Sequence, residues 1–95
     1  MKIHLLIYAH SPDGTETVGL QKTFESIIRP FEGDVIEDPG FSPQYYNGYE
    51  VVKVGLNYET DECWVSLAPL DLELTEIPVS DYIERLLAHG WQVVS

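Results

Sequence analysis

The sequence predicts one α+β domain over residues 1–95, with a ferredoxin-like βαββαβ order of elements and two helices on one face of an antiparallel sheet. Three observations predict this class. The chain opens on a near-continuous apolar run, two apolar stripes repeat at helical spacing, and two alternating segments lie between those stripes. A chain of 95 residues allows one modest core, and its 12% aromatic content provides the side chains to fill it.

The first strand and the first helix are predicted from the opening third of the chain. Lys2–Tyr8 carries apolar residues at both parities, which is typical of a central strand covered on both faces. Asp13 and Glu16 then resemble a capping box, so a helix is expected to begin there and to end near Pro30. Gly19 would weaken its first turn by about 1 kcal/mol relative to alanine. The apolar stripe of this helix is predicted at Leu20, Phe24, Ile27, Ile28 and Phe31.

The middle of the chain is predicted to form strands. A short edge strand is expected at Val35-Ile36, and Asn47-Gly48 is a two-residue turn signal that allows an extra hairpin. Alternation of apolar residues then predicts a strand over about 49–58 and a returning antiparallel strand over 62–68. The alternation changes parity at Ala68-Pro69, so a bulge or bend is expected there.

The second helix is predicted near the end of the chain. Ser80 is a suitable N-cap, Asp81 favours the positive end of a helix, and Gly90 is expected to end it. A last short strand is expected from Trp91. The buried stripe of this helix is predicted at Ile83, Leu86 and Leu87.

Charge restricts the possible partners. The chain has 5 lysines and arginines against 16 aspartates and glutamates, a formal charge of −11, and the whole excess follows Phe31. Bare nucleic acid and anionic membrane surfaces are repelled by such a field, whereas a basic protein is attracted. Acidic side chains that only keep the protein soluble are the simpler interpretation of the same charge.

The sequence predicts neither secretion nor a membrane span. No apolar run approaches the ~20 residues that cross a bilayer, and the first residues lack a signal-peptide pattern. The single cysteine, Cys63, cannot form an internal disulfide. We therefore expect a cytoplasmic protein.

No pattern of residues predicts catalysis, a metal or a cofactor. The histidines at 4, 10 and 89 lack metal-ligand spacing, and His4 is expected to be a packed residue of the first strand. Cys63 has acidic and apolar neighbours, which do not favour a reactive thiolate. Asp13 and Glu16 would repel a phosphate at the predicted helix start. The expectation is a protein that is not an enzyme.

These observations predict a small acidic binding protein that acts on a basic protein partner, either as an inhibitor or immunity-type protein or as a mimic of nucleic-acid charge. Tyrosines in the Pro- and Gly-rich segment are the candidate anchors, because tyrosine brings large area and a polar tip. The acids after them are the candidate steering surface. The anchors are Tyr45, Tyr46 and Tyr49, and the steering residues are Asp71, Glu73, Glu76, Asp81 and Glu84.

Three alternatives stay open at this point. The protein could be an enzyme without a recognisable motif, because an active site is defined by a geometry that the sequence does not show. The tyrosines could simply cover the open face of a small sheet. The protein could also be a ferredoxin-like regulatory or small-ligand module that self-associates through its open sheet face or an edge strand. The sequence leaves the choice between monomer and homodimer undecided.

Overall fold

The computed structural model describes residues 1–10, 17–41, 48–71 and 79–94. These residues form a mixed β-sheet and one short helix, α1. Six strands follow one another across the sheet in the order β3-β4-β5-β1-β2-β7, and a short β6 also pairs with β1. The strands are β1 Lys2–His10, β2 Thr17–Glu25, β3 Val35–Glu37, β4 Gly48–Asn57, β5 Glu62–Leu67, β6 Leu70–Asp71 and β7 Gln92–Val93, and α1 is Val79–Ala88.

The central position predicted for the first strand is confirmed, but its even-numbered face is only partly covered, since Tyr8 is 42% exposed. β1 pairs antiparallel with β2 on one side and parallel with β5 on the other. Its odd-numbered residues form the middle of the core, and its even-numbered residues face the other side of the sheet. The buried odd-numbered residues are Ile3, Leu5, Ile7 and Ala9.

The predicted ferredoxin-like βαββαβ fold is wrong, because the first predicted helix is strand β2. Nine residues of β2 pair with β1, from Lys2 opposite Glu25 to His10 opposite Thr17. Leu20 and Phe24 satisfy a helical spacing and an alternating one equally well, so their pattern could not decide. Local propensity favours the strand, because Thr17, Val18 and Thr23 are β-branched and Gly19 weakens a helix.

The predicted turn at Asn47-Gly48 is also wrong in its position. Gly48 is a strand residue paired with Glu37, and Asn47 lies outside the described residues. β3 and β4 do pair antiparallel, but a longer connection joins them. Gly48 is needed for close packing, because a Cβ there would lie 2.6 Å from Cγ1 of Val35 and 2.8 Å from the carbonyl oxygen of Ile36.

Three other elements are confirmed. β4 and β5 form the predicted antiparallel hairpin, and α1 confirms that the second predicted helix exists. Two details of that helix are wrong: Ser80 lies inside α1 rather than at its N-cap, and Leu87 is 45% exposed, because the helix buries Tyr82 and Leu86 instead.

β1 pairs with β5 and then with β6, and Leu6 lies opposite Ser66 whereas Ala9 lies opposite Leu70. Three residues of β1 therefore correspond to four residues of the β5–β6 segment, a shift of one residue. This shift confirms the bulge predicted at Ala68-Pro69.

One carboxylate links the residue before the C-terminal strand to β2 and to the turn after β3. Asp38, just after β3, accepts hydrogen bonds from Lys22 Nζ at 2.7 Å, from Trp91 Nε1 at 3.0 Å and from the Gly40 amide at 2.8 Å. Burial acts to raise the pKa of Asp38, but these hydrogen bonds outweigh it and hold that pKa below its ordinary value. The network joins β2, the turn after β3 and the residue before β7.

Candidate partner-binding surface

The structure places the predicted site residues in several different settings. Asp81 and Glu84 lie three residues apart on α1 and are exposed. Asp71 ends β6, on a different element of the fold. Tyr49 is only 6% exposed. Tyr45, Tyr46, Glu73 and Glu76 lie outside the described residues.

Tyr49 belongs to the core. Its ring meets the ring of Phe41 edge-on, with centroids 4.7 Å apart, and its hydroxyl lies 3.3 Å from that of Tyr82 on α1. This position agrees with the alternative in which tyrosine rings cover a sheet face. Buried aromatic area of this kind stabilises the contact between β4 and α1 rather than offering a ring to a partner.

A different group of apolar side chains is exposed from the end of β2 to the first residue of β3. Ile27 is fully exposed, Ile28 is 76% exposed, Phe31 57% and Val35 64%. We call Ile27, Ile28, Phe31 and Val35 the apolar segment. Single exposed apolar residues are ordinary on protein surfaces, whereas four large ones within nine residues are typical of an interaction site.

The backbone that carries the apolar segment is held at both ends. The Ser26 amide donates to the carbonyl oxygen of Met1 at 2.9 Å, and the Ser26 hydroxyl lies 3.0 Å from both the amide and the carbonyl oxygen of Ile28. At the other end, the Gly33 amide donates to the Val51 carbonyl and the Val51 amide donates to the Asp34 carbonyl, at 2.9 and 2.8 Å. Gly33 has φ of 91°, which suits glycine at this turn.

Two local contacts fix the middle of the segment. The Phe31 amide donates to Oδ2 of Asp34 at 2.9 Å, and the Asp34 amide returns a bond to the Phe31 carbonyl. The guanidinium of Arg29 lies 4.2 Å from the centre of the Phe31 ring, a cation–π contact. Pro30 between them is buried. The exposed side chains therefore project from an ordered backbone.

Acidic residues surround and interrupt the apolar segment. Arg29 is the only lysine or arginine between residues 26 and 52, a stretch with five carboxylates. Glu50 pairs directly opposite Val35, so the two side chains share one face of the sheet. Four of these carboxylates are exposed and have no cation within ion-pair distance among the described residues. They belong to Glu32, Asp34, Glu37 and Glu50.

The opposite face of the sheet carries a polar cluster around His4. Nδ1 of His4 lies 2.8 Å from Thr23 Oγ1, and its Nε2 lies 2.5 Å from Oε2 of Glu62. Hydrogen bonds from His4 and Thr60 hold the pKa of Glu62 below its ordinary value. The indole of Trp64 stacks on the imidazole, with centroids 3.9 Å apart and planes 18° from parallel.

The His4 cluster orders the sheet face. A hydroxyl, an imidazole and a carboxylate joined by hydrogen bonds can transfer a proton, but a catalytic base must also reach a substrate. His4 is 7% exposed because Trp64 covers it, as expected for a packed strand histidine. Within the part of the chain that the structure describes, no group of three or more His, Cys, Asp or Glu residues is placed to hold a metal ion.

The described residues define a small mixed-sheet protein with one helix and an apolar surface bordered by carboxylates. No family model, curated protein or solved structure matches this chain. In the described residues no helix has the length and apolar character needed to cross a membrane.

Sequence reasoning missed the apolar segment because it assigned Ile27, Ile28 and Phe31 to a buried helical stripe. One signal could have found them. The alternation of Val18, Leu20 and Phe24 breaks down at the adjacent isoleucines, and Pro30 follows two residues later. An apolar pair after a strand end, just before a proline, lies on a connection, where side chains are exposed.

Proposed function

We propose that this protein is a small acidic, non-catalytic binding protein that acts on a basic protein partner, with the apolar segment at the centre of the contact. One observation carries the proposal: large apolar side chains are exposed on a hydrogen-bonded backbone and are bordered by carboxylates without ion pairs. Interfaces combine an apolar centre with a polar rim in this way.

The ordered backbone supports the proposed role of the apolar segment. A loop that is already fixed loses little conformational freedom when a partner binds, so more of the contact energy is available for affinity. Ile27 and Ile28 would then be anchors that enter a pocket on the partner. This arrangement differs from the tyrosine anchors expected from the sequence.

The acids support a basic partner in particular. Exposed carboxylates without ion pairs raise the rate of encounter with a positive surface and repel anionic surfaces. Glu32, Asp34, Glu37 and Glu50 would act beside the apolar segment. Asp81 and Glu84 would extend the field across α1, which contacts the turn after β3 through a hydrogen bond from Arg85 Nη2 to the Pro39 carbonyl.

The proposal includes a cytoplasmic location and one of two modes of action. Cys63 is buried and unpaired, which suits a reducing compartment. An inhibitor or immunity-type protein would cover an active site, whereas a mimic of nucleic-acid charge would occupy a nucleic-acid-binding surface. Duplex DNA should displace the protein from its partner only in the second case.

The test is a capture experiment with matched variants. Wild-type protein, the double variant I27S/I28S and the control L87Q are immobilised and exposed to lysate of the native source, and the retained proteins are quantified by mass spectrometry. Leu87 is an exposed apolar residue of α1, so L87Q controls for the general loss of surface hydrophobicity. We expect a basic protein that wild type and L87Q retain at low salt, that I27S/I28S loses, and that high salt releases. Equal retention by I27S/I28S would contradict the proposal.

A further inference from the structure

The outer edge of β4 is open over most of its length. β3 covers only its first residues, Gly48–Glu50, and the turn at Gly33 and Asp34 bonds to Val51. Among the residues that the structure describes, none pairs with the outer side of 52–57. Six residues of strand span roughly 20 Å, and their outward N–H and C=O groups form a template for another strand.

Gly55 lies in the middle of this edge, in a place where its own chain does not need a glycine. A Cβ at that position would meet only the Trp64 Cβ, at the ordinary distance of 4.0 Å. The Trp64 indole leans away, onto His4. Glycine weakens the interior of a strand, and its presence there often marks the close approach of another backbone.

We propose that this edge pairs with the same edge of a second copy of the chain, antiparallel, about a two-fold axis at Gly55. In that register Val54 lies opposite the partner's Leu56, and Lys53 lies opposite the partner's Asn57. Apolar side chains therefore meet apolar ones, and the only charged residue of 52–57 faces an amide. The result is one continuous sheet across two copies.

The sequence of the edge lacks the features that prevent strand pairing. Strand edges that avoid pairing carry several charges, a proline or repeated bulges. Here one bulge lies between Val51 and Lys53, and the stretch Val54–Asn57 beyond it has neither a charge nor a proline. Val54 is half-buried and Leu56 is 39% exposed, so the pairing would cover apolar surface that one chain leaves in water.

The first test is sedimentation equilibrium over a range of protein concentrations at low and high salt. We expect a monomer–dimer equilibrium that approaches twice the 10.8 kDa of one chain. Salt should strengthen the dimer, because it screens the repulsion between two chains of charge −11. Salt weakens the proposed contact with a basic partner, so the two associations can fail independently. A monomer under all conditions would overturn the inference.

The second test places a charged side chain at position 55, on the proposed two-fold axis. G55E and G55K each place two like charges directly opposite in the dimer, and both should weaken dimerisation at least about tenfold more than G55Q, which adds a side chain of similar size without a charge. An equimolar mixture of G55E and G55K should restore dimers, because opposite charges then meet. Circular dichroism of each variant checks that the fold is kept. A dimer that G55E and G55K leave unchanged would place the contact elsewhere and overturn the inference.

Discussion

Replacing Gly48 with alanine should destabilise the protein, because β3 leaves no room for a methyl group. The new Cβ would lie 2.6 Å from Cγ1 of Val35 and 2.8 Å from the carbonyl oxygen of Ile36. Carbon contacts are favourable at about 3.5–4.0 Å, so the methyl group overlaps its neighbours by roughly 0.7–0.9 Å. The side chain of Val35 can adjust, but the Ile36 oxygen is part of the backbone of β3, which must move away from β4.

The expected magnitude follows from two opposing effects. Overpacking of this kind costs about 1–3 kcal/mol. Alanine recovers about 0.5–1 kcal/mol relative to glycine within a strand. The midpoints of these two ranges leave a net loss of about 1 kcal/mol in the free energy of unfolding, and each kcal/mol lowers Tm by about 4–8 °C for a domain of this size.

The assay is urea denaturation followed by circular dichroism and tryptophan fluorescence, with G55A as the matched control. Both substitutions add one methyl group to β4, but a Cβ at Gly55 meets only the Trp64 Cβ at 4.0 Å. G55A should be as stable as wild type or slightly more stable. A G48A protein as stable as wild type, or less affected than G55A, would refute the described contact between β3 and β4.

Three further predictions concern the core, the Asp38 network and the apolar segment. Leu86→Ala should cost about 2–5 kcal/mol in denaturation experiments because Leu86 is fully buried, and Leu87→Ala should stay within about 0.5 kcal/mol because that side chain is exposed. The lowered pKa of Asp38 means that its stabilising contribution is complete above the unfolded value of 3.8 and is lost as pH falls through the folded value. Asp38→Asn should therefore lower Tm at neutral pH and flatten the acid side of a Tm–pH profile, and an unchanged profile would exclude this role. Ile28→Ser should leave Tm unchanged, because its side chain is already 76% exposed, and a clear loss of stability would place it in the core.

The sequence predicted an element correctly where the spacing of its apolar residues fitted only one kind of secondary structure. β1 carries apolar residues at both parities, and the spacing of Ile83 and Leu86 together with the terminal Gly90 predicts a helix at α1, although Leu87 of the predicted stripe is exposed. The bulge at Ala68-Pro69 was predictable because the side-chain period of a strand is two, and a change of parity requires an extra residue.

The first helix could not be excluded from the sequence, because Leu20 and Phe24 fit both periods. Tertiary pairing decided the outcome: β2 supplies nine partners to the central strand, an interaction that no local pattern reveals. The candidate binding residues were also assigned wrongly. Ile27 and Ile28 were assigned to a core that does not contain them, and Tyr49 was expected at a surface although its ring packs on Phe41.

The most direct test of the proposed function is the Kd of the captured basic partner for wild type, I27S/I28S and L87Q, measured at low and high salt. If the apolar segment contains the anchors, I27S/I28S should bind at least about thirtyfold more weakly, corresponding to about 2 kcal/mol, and L87Q should bind normally. High salt should slow association of wild type. Equal Kd values for wild type and I27S/I28S would contradict a contact centred on the apolar segment.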